Sequence, residues 1–175
     1  GRSDIPLSAE GRALVATWRL PAEINGFDVI TSPLVRARET AAILGFHNAS
    51  SDPRLTETDW GAWEGDRLAD LRQNGGEDFL FAEAQGLDFT PPGGESPRMV
   101  QHRLQPLLAE LAIRPRSTLL ISHKGIIRAL YALATGWPMV GKLPHRLDNG
   151  CLHFFQLHAG GRLSLDRTNL ALTAS

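Results

Sequence analysis

An α/β sandwich around a mostly parallel sheet is expected of this sequence. Helical and strand-like hydrophobic patterns alternate along it, the strand-like runs are short, apolar and β-branched, and two of them run straight into a helix-start signal. Ser8 caps a first helix over residues 8–20 (SAEGRALVATWRL), with Glu10 in its positive first turn. FDVIT, residues 27–31, reads as a buried strand. Ser32 as N-cap and Pro33 at the first helical position then predict a helix over 32–44 (SPLVRARETAAIL) that stops at Gly45. Ser96 and Pro97 repeat that start, and Val100, Leu104, Leu107, Leu108 and Leu111 share one helix face before Pro115. The strand TLLIS (118–122) and the helix GIIRALYALATG (125–136) follow, and residues 151–169 read as an antiparallel hairpin around Ala-Gly-Gly. Residues 73–96 look loose, with QNGG and PPGG at their ends and the apolar DFLFAEAQGLDF between; they are expected to be a lid or an excursion.

Composition narrows the function. The 175 residues form one expected domain, 1–175, large enough for a full core. Eighteen basic against nineteen acidic residues leave a charge of −1, so no overall positive field draws nucleic acid or anionic membrane, and neither is an expected partner. No apolar stretch approaches the roughly 20 residues of a membrane helix. The single Cys151 has no internal disulfide partner, and the chain reads as soluble and cytoplasmic. It opens on Gly1 in a turn-like stretch, so this start is expected not to be the natural one.

The two strand-to-helix junctions are where anion chemistry belongs, because helix N-termini there present free N–H groups and a positive dipole end. The first junction offers Arg36, whose planar fork grips two phosphate oxygens; the second offers His123, Lys124 and the flexible Gly125. Arg38 lies on another helix face and reads as a solvated arginine. His102 on the long helix, and His153 and His158 in the hairpin, read as structural or exposed, and no histidine pair has metal-ligand spacing. Ser122 lacks the G-x-S-x-G elbow of a serine hydrolase.

Four stretches in order carry a resemblance: SPLVRARETA, LTETDWGAWEG (55–65), PPGGES (91–96) and SHKGIIRAL, preceded by the turn GRSDIPLSAEG. Together they resemble the histidine phosphatase superfamily, the phosphoglycerate mutase-like family. The resemblance implies a three-layer αβα sandwich of phosphoglycerate mutase-like topology, with no cofactor and no metal. It implies that Arg36 binds the transferring phosphoryl group, that His123 faces it and stabilises the transition state, and that Glu57 protonates the leaving oxygen and then activates water. An acid of that kind needs a raised pKa, and Trp60 and Trp63 are expected to wall it. Glu64 is the runner-up acid or a structural residue in a turn with Gly65, and Lys124, where this family often has a small residue, adds charge to the pocket or points outward.

One departure is large. The family's nucleophile is the histidine of an Arg-His-Gly triplet after its first strand, and no Arg-His pair occurs in this sequence. The domain therefore reads as lacking its first strand and nucleophile loop, with a degenerate binding relative as the alternative. The compact size resembles the phosphatase branch, with its alpha-ribazole and broad-specificity phosphatases, more than the longer mutases. The expected reaction is metal-independent hydrolysis of a small-molecule phosphomonoester through a phosphohistidine; phosphoglycerate mutase-type transfer and non-catalytic phosphate binding are the alternatives. The leaving group is expected to be read by residues 73–96 and by the segment around His145 and Arg146.

Overall fold

The computed structural model describes residues 1–172. α1 (Ala9–Thr17) begins as its sequence predicts, with Ser8 Oγ accepting from Gly11 N at 3.1 Å. It stops at Thr17 and not at Leu20, because Trp18 turns extended and Arg19 donates its N–H to Leu172 O. β1 (Asp28–Thr31) follows and lies in the middle of a three-stranded parallel sheet. Its neighbours are β2 (Ser50–Ser51) and β3 (Thr118–Ile121), with Thr31 level with Ser51 on one side and Ile121 on the other.

α2 (Val35–Ile43) starts later than the Ser32–Pro33 signal predicts. Ser32 Oγ does accept from Leu34 N at 3.3 Å, but Ser32 itself continues the strand, its N–H bonded to Ile121 O. The first helical N–H, that of Val35, is met from a distance by Asp4 Oδ1 at 2.7 Å. The opening turn is thus part of how α2 is capped.

α5 (Pro97–Ala112) starts at Ser96, whose Oγ accepts from Met99 N, and α6 (Lys124–Thr135) ends at Gly136 in the left-handed conformation. Between them run two shorter helices, α3 (Leu68–Asn74) and α4 (Gly76–Glu83), placed in chain order before α5. α2 packs on β1 and β3 with α1 beside it. α5 and α6 form the opposite layer, where Val100, Leu104, Leu107 and Leu108 meet Ile126, Ala129 and Leu130 over Ile30 and Leu55. This is the expected three-layer αβα arrangement. Burial of one leucine is worth roughly 2 kcal/mol, so the row on α5 makes that helix a firm support for what it carries.

Residues 73–96 are more ordered than their composition suggests. Phe79 of α4 is buried against Trp63, and Phe89 stacks on Trp63 with ring centroids 5.8 Å apart. Trp60 meets Phe89 edge-on. The apolar patch has folded onto the tryptophans of the stretch 55–65, and aromatic packing offsets the cost of ordering a glycine-rich segment. Gly61, at φ +51°, lies so close to this segment that a Cβ would stand 2.2 Å from Pro92 O.

The hairpin appears where expected, as β4 (Cys151–Leu157) and β5 (Leu163–Ala171), joined through Ala159–Gly161. It forms a two-stranded antiparallel sheet of its own. Among the described residues, no strand pairs with the edge of β3 away from β1, nor with the edge of β4 away from β5. Two cavities, of about 540 and 580 Å³, open between them, both lined by Leu119, Leu120 and Ser122 on one side and Cys151, Leu152 and His153 on the other. No helix among the described residues is long and apolar enough to cross a membrane.

Candidate active site

The parallel register of β1 and β3 builds the site. Because Thr31 lies level with Ile121, the next residues, Ser32 and Ser122–His123, leave the sheet side by side at its carboxyl edge. His123 is the N-cap of α6 and is only 7% exposed. Its Nε2 lies 2.7 Å from Ser32 Oγ. Burial, then the positive charges of Arg36 and Arg103, push its pKa down to about 4, so the imidazole is neutral at pH 7.

Arg36 is half-buried in the first turn of α2 and lines the larger cavity together with His123 and Lys124. Its two terminal nitrogens donate to main-chain oxygens of the opening turn, Nη1 to Ser3 O and Nη2 to Gly1 O, each at 2.7 Å. Two donors are therefore held parallel, with weak neutral acceptors in front of them. A phosphate offering two charged oxygens is a stronger partner for the same fork.

Glu57 reaches the start of α6. Its Oε2 accepts from Gly125 N at 3.1 Å, two residues past His123, and its Oε1 from Thr58 N at 2.8 Å. A Cβ at 125 would stand 2.2 Å from Glu57 Oε1, so any larger residue there would displace the carboxyl group. The glycine after His123 and Lys124 is thus a packing requirement of the carboxyl group. The ring of Trp60 packs against Phe89, and that of Trp63 against both Phe79 and Phe89.

The remaining candidates divide cleanly. Glu64 accepts from the N–H groups of Arg2 and Trp60 at 2.8 and 3.2 Å and from Ser3 Oγ at 3.0 Å. Burial raises its pKa, but those bonds outweigh burial and hold it at about 2. It is a clamp on the opening turn, the structural role that the sequence left open. Arg38 and Lys124 are exposed, as is His102. His158 Nε2 contacts Ser164 Oγ across the hairpin, and His153 Nδ1 accepts from Asn169 N. His145 Nδ1 meets the buried Tyr131 hydroxyl at 2.7 Å. Among the described residues, no group of three or more His, Cys, Asp or Glu side chains has the geometry to hold a metal ion.

Sequence reasoning missed Ser32 as the partner of His123, having spent it on a helix cap. The signal was present: two strands of similar length, each followed by a polar residue and a helix, pair in register only if those polar residues meet.

A family model described as the histidine phosphatase superfamily (branch 1) matches residues 1–170. The chain belongs to the histidine phosphatase superfamily. It is 30% identical over 159 residues to a 2,3-bisphosphoglycerate-dependent phosphoglycerate mutase of Azorhizobium caulinodans, covering 85% of this chain and 77% of that protein. It is 28% identical to the adenosylcobalamin/alpha-ribazole phosphatase of Escherichia coli K12 over 86% of this chain and 77% of the relative. A mycobacterial glucosyl-3-phosphoglycerate phosphatase, solved in complex with inorganic phosphate, superposes with a TM-score of 0.79 at 30% identity, covering 100% of this chain and 92% of the other. The histidine phosphatase fold thus extends along the whole chain. Hydrolysis or transfer of phosphoryl groups is the chemistry that this membership carries.

Proposed function

We propose that the protein is a phosphatase that hydrolyses a small phosphomonoester in the cytoplasm, without a metal, through a phosphohistidine. The observation that carries the proposal is the convergence at one sheet edge: His123 follows β3, Arg36 opens the helix that follows the neighbouring β1, and Glu57 is bonded to the backbone two residues beyond His123. In this mechanism Arg36 exchanges the Gly1 and Ser3 carbonyls for two phosphoryl oxygens. The neutral His123 donates a hydrogen bond to a third oxygen as charge spreads over them in the transition state. A histidine nitrogen attacks phosphorus, the bond to the leaving oxygen breaks, and Glu57 gives that oxygen its proton. Glu57, now a carboxylate, takes a proton from the water that cleaves the P–N bond and releases phosphate.

The attacking histidine belongs, in this proposal, to a further strand of the natural protein, seated between β3 and β4. The support is physical. Unpaired strand edges facing each other across cavities cost unmet backbone hydrogen bonds on both sides, and one extended segment would satisfy them together. A strand parallel to β3 would end beside His123, and in-line displacement requires its histidine to attack opposite the leaving oxygen that Glu57 protonates. The leaving group is read by the helical segment 73–96 and by the region of His145 and Arg146. Transfer between two positions of one substrate is the second reading, favoured by the mutase relative.

The test is to quench the full-length protein during turnover of a ³²P-labelled phosphomonoester. A labelled adduct that is stable in base and lost in acid is expected, with labelled phosphate as the product. Label moved to a second position of the substrate would make it a mutase, and turnover with no adduct would remove the phosphohistidine.

A further inference from the structure

We infer that Arg103 is a positioning residue for Glu57, acting with Glu95 as its counter-charge. Arg103 projects from α5, between the buried Val100 and Leu104, and its own side chain is 18% exposed. Its guanidinium does not meet a substrate cavity. It meets the main chain leading to the acid: Nη1 bonds Arg54 O, and Nη2 bonds Thr56 O at 2.6 Å and the carbonyl of Glu57 itself at 3.3 Å. Arg2 Nε donates to that same carbonyl at 3.2 Å. Two cations thus converge on one peptide oxygen, an arrangement that holds only with an anion between them. Glu95 is that anion, 3.0 Å from Arg103 Nε and 2.9 Å from Arg2 Nη2.

Glu95 also fixes the chain beyond the acid. Its N–H donates to Asp59 O at 2.9 Å, and its Oε2 accepts from Asp59 N at 3.3 Å. Residues 54–59 are therefore bound from behind at three carbonyls before and at the acid, and at both main-chain groups of Asp59 after it. In front, among the described residues, the Glu57 carboxyl accepts from Gly125 N and Thr58 N. The backbone of the acid is set by a core helix, and its carboxyl is left to reach the reacting oxygen. Loss of the clamp lets the carboxyl drift, and a displacement of about 1 Å in a reacting group can cost up to roughly 100-fold in rate.

This inference rests on Glu57 being the acid of the proposed reaction, and its signature is selective. A displaced acid slows release of a poor leaving group, which needs the proton, and spares release of a good one. In the full-length protein, Arg103→Gln is expected to lower kcat for an alkyl phosphate such as glycerol phosphate about tenfold more than kcat for p-nitrophenyl phosphate. Arg103→Lys, which can reach one carbonyl but cannot fork, should fall between it and wild type. Glu95→Gln keeps shape and removes the counter-charge, so it should show the same bias and decides the matter if Arg103→Gln does not fold. In a Glu57→Gln background, neither substitution should change the ratio further. Folded Arg103→Gln or Glu95→Gln protein with an unchanged ratio would overturn the inference alone, provided Glu57→Gln shows the bias. A Glu57→Gln protein without the bias would overturn the assignment of the acid, and this inference with it.

Discussion

The two edges of β3 are built in opposite ways. On one edge, four residues pair in register with β1, and that register sets Ser32 against His123. On the other, no described strand pairs, and two cavities separate β3 from β4. The paired edge shows how a site gains precision: its side chains hang from backbone that cannot slide, because a one-residue slip would turn every side chain to the other face. The open edge shows what a sheet of this class needs. All four residues of β3 remain partly exposed, whereas a central strand between helix layers should be covered.

The comparison can be broken first on the paired side. Arg36→Ala in the full-length protein should lower kcat by roughly 100-fold or more, with similar losses on aryl and alkyl phosphates, since the role proposed for it is to grip the phosphoryl group whatever leaves. A small loss, or a loss confined to KM, would detach Arg36 from the transition state. Glu57→Gln should cost about 100-fold on an alkyl phosphate and far less on p-nitrophenyl phosphate. Equal losses on both would mean that the carboxyl does not deliver the proton.

The two ends of the site should also separate by pH. His123 has a lowered pKa in the folded state, so the unfolded chain binds its proton first and stability falls as pH drops from about 6.5 towards 4. Glu64 has a lowered pKa of about 2, so its contribution is present above the ordinary carboxylate range and is lost progressively as pH falls from that range to about 2. Glu64→Gln should therefore reduce stability at pH 7, by on the order of 2 kcal/mol, and should run parallel to wild type between pH 7 and 5. The two curves should close only in stronger acid. Urea midpoints across this range check the claim, and curves that converge already at pH 5 would contradict it.

The open edge gives the smallest effect. Amides in residues 118–121 and 151–157 should exchange about tenfold more slowly in the full-length protein than in the 175-residue chain, whereas those of 28–31 change less. Equal protection in both proteins would mean that nothing seats between β3 and β4.

Much of the site was legible because it sits on strong local signals. Arg36 and His123 each follow a short apolar run that ends in a helix, and the fold class follows from the same alternation. What escaped depended on contacts far apart in sequence. Ser32 obeys a strand register in preference to a helix cap, Val35 is capped by Asp4, and Glu57 is held by a glycine on α6 and an arginine on α5. Residues 73–96 looked loose because glycine and proline dominate their ends, yet the folded segment is decided by Phe79 and Phe89 finding Trp63. The two-residue β2 is too short to leave any periodicity.

In the proposed mechanism Arg36, His123 and Glu57 hold and protonate, while a further strand takes the phosphoryl group; that division of labour sets the decisive experiment. It is tested most directly by assaying p-nitrophenyl phosphate hydrolysis by the 175-residue chain and by the full-length protein, each with a metal chelator present. The account predicts turnover in the full-length protein alone, unchanged by the chelator. Full activity from the 175-residue chain, or activity abolished by chelation, would contradict it.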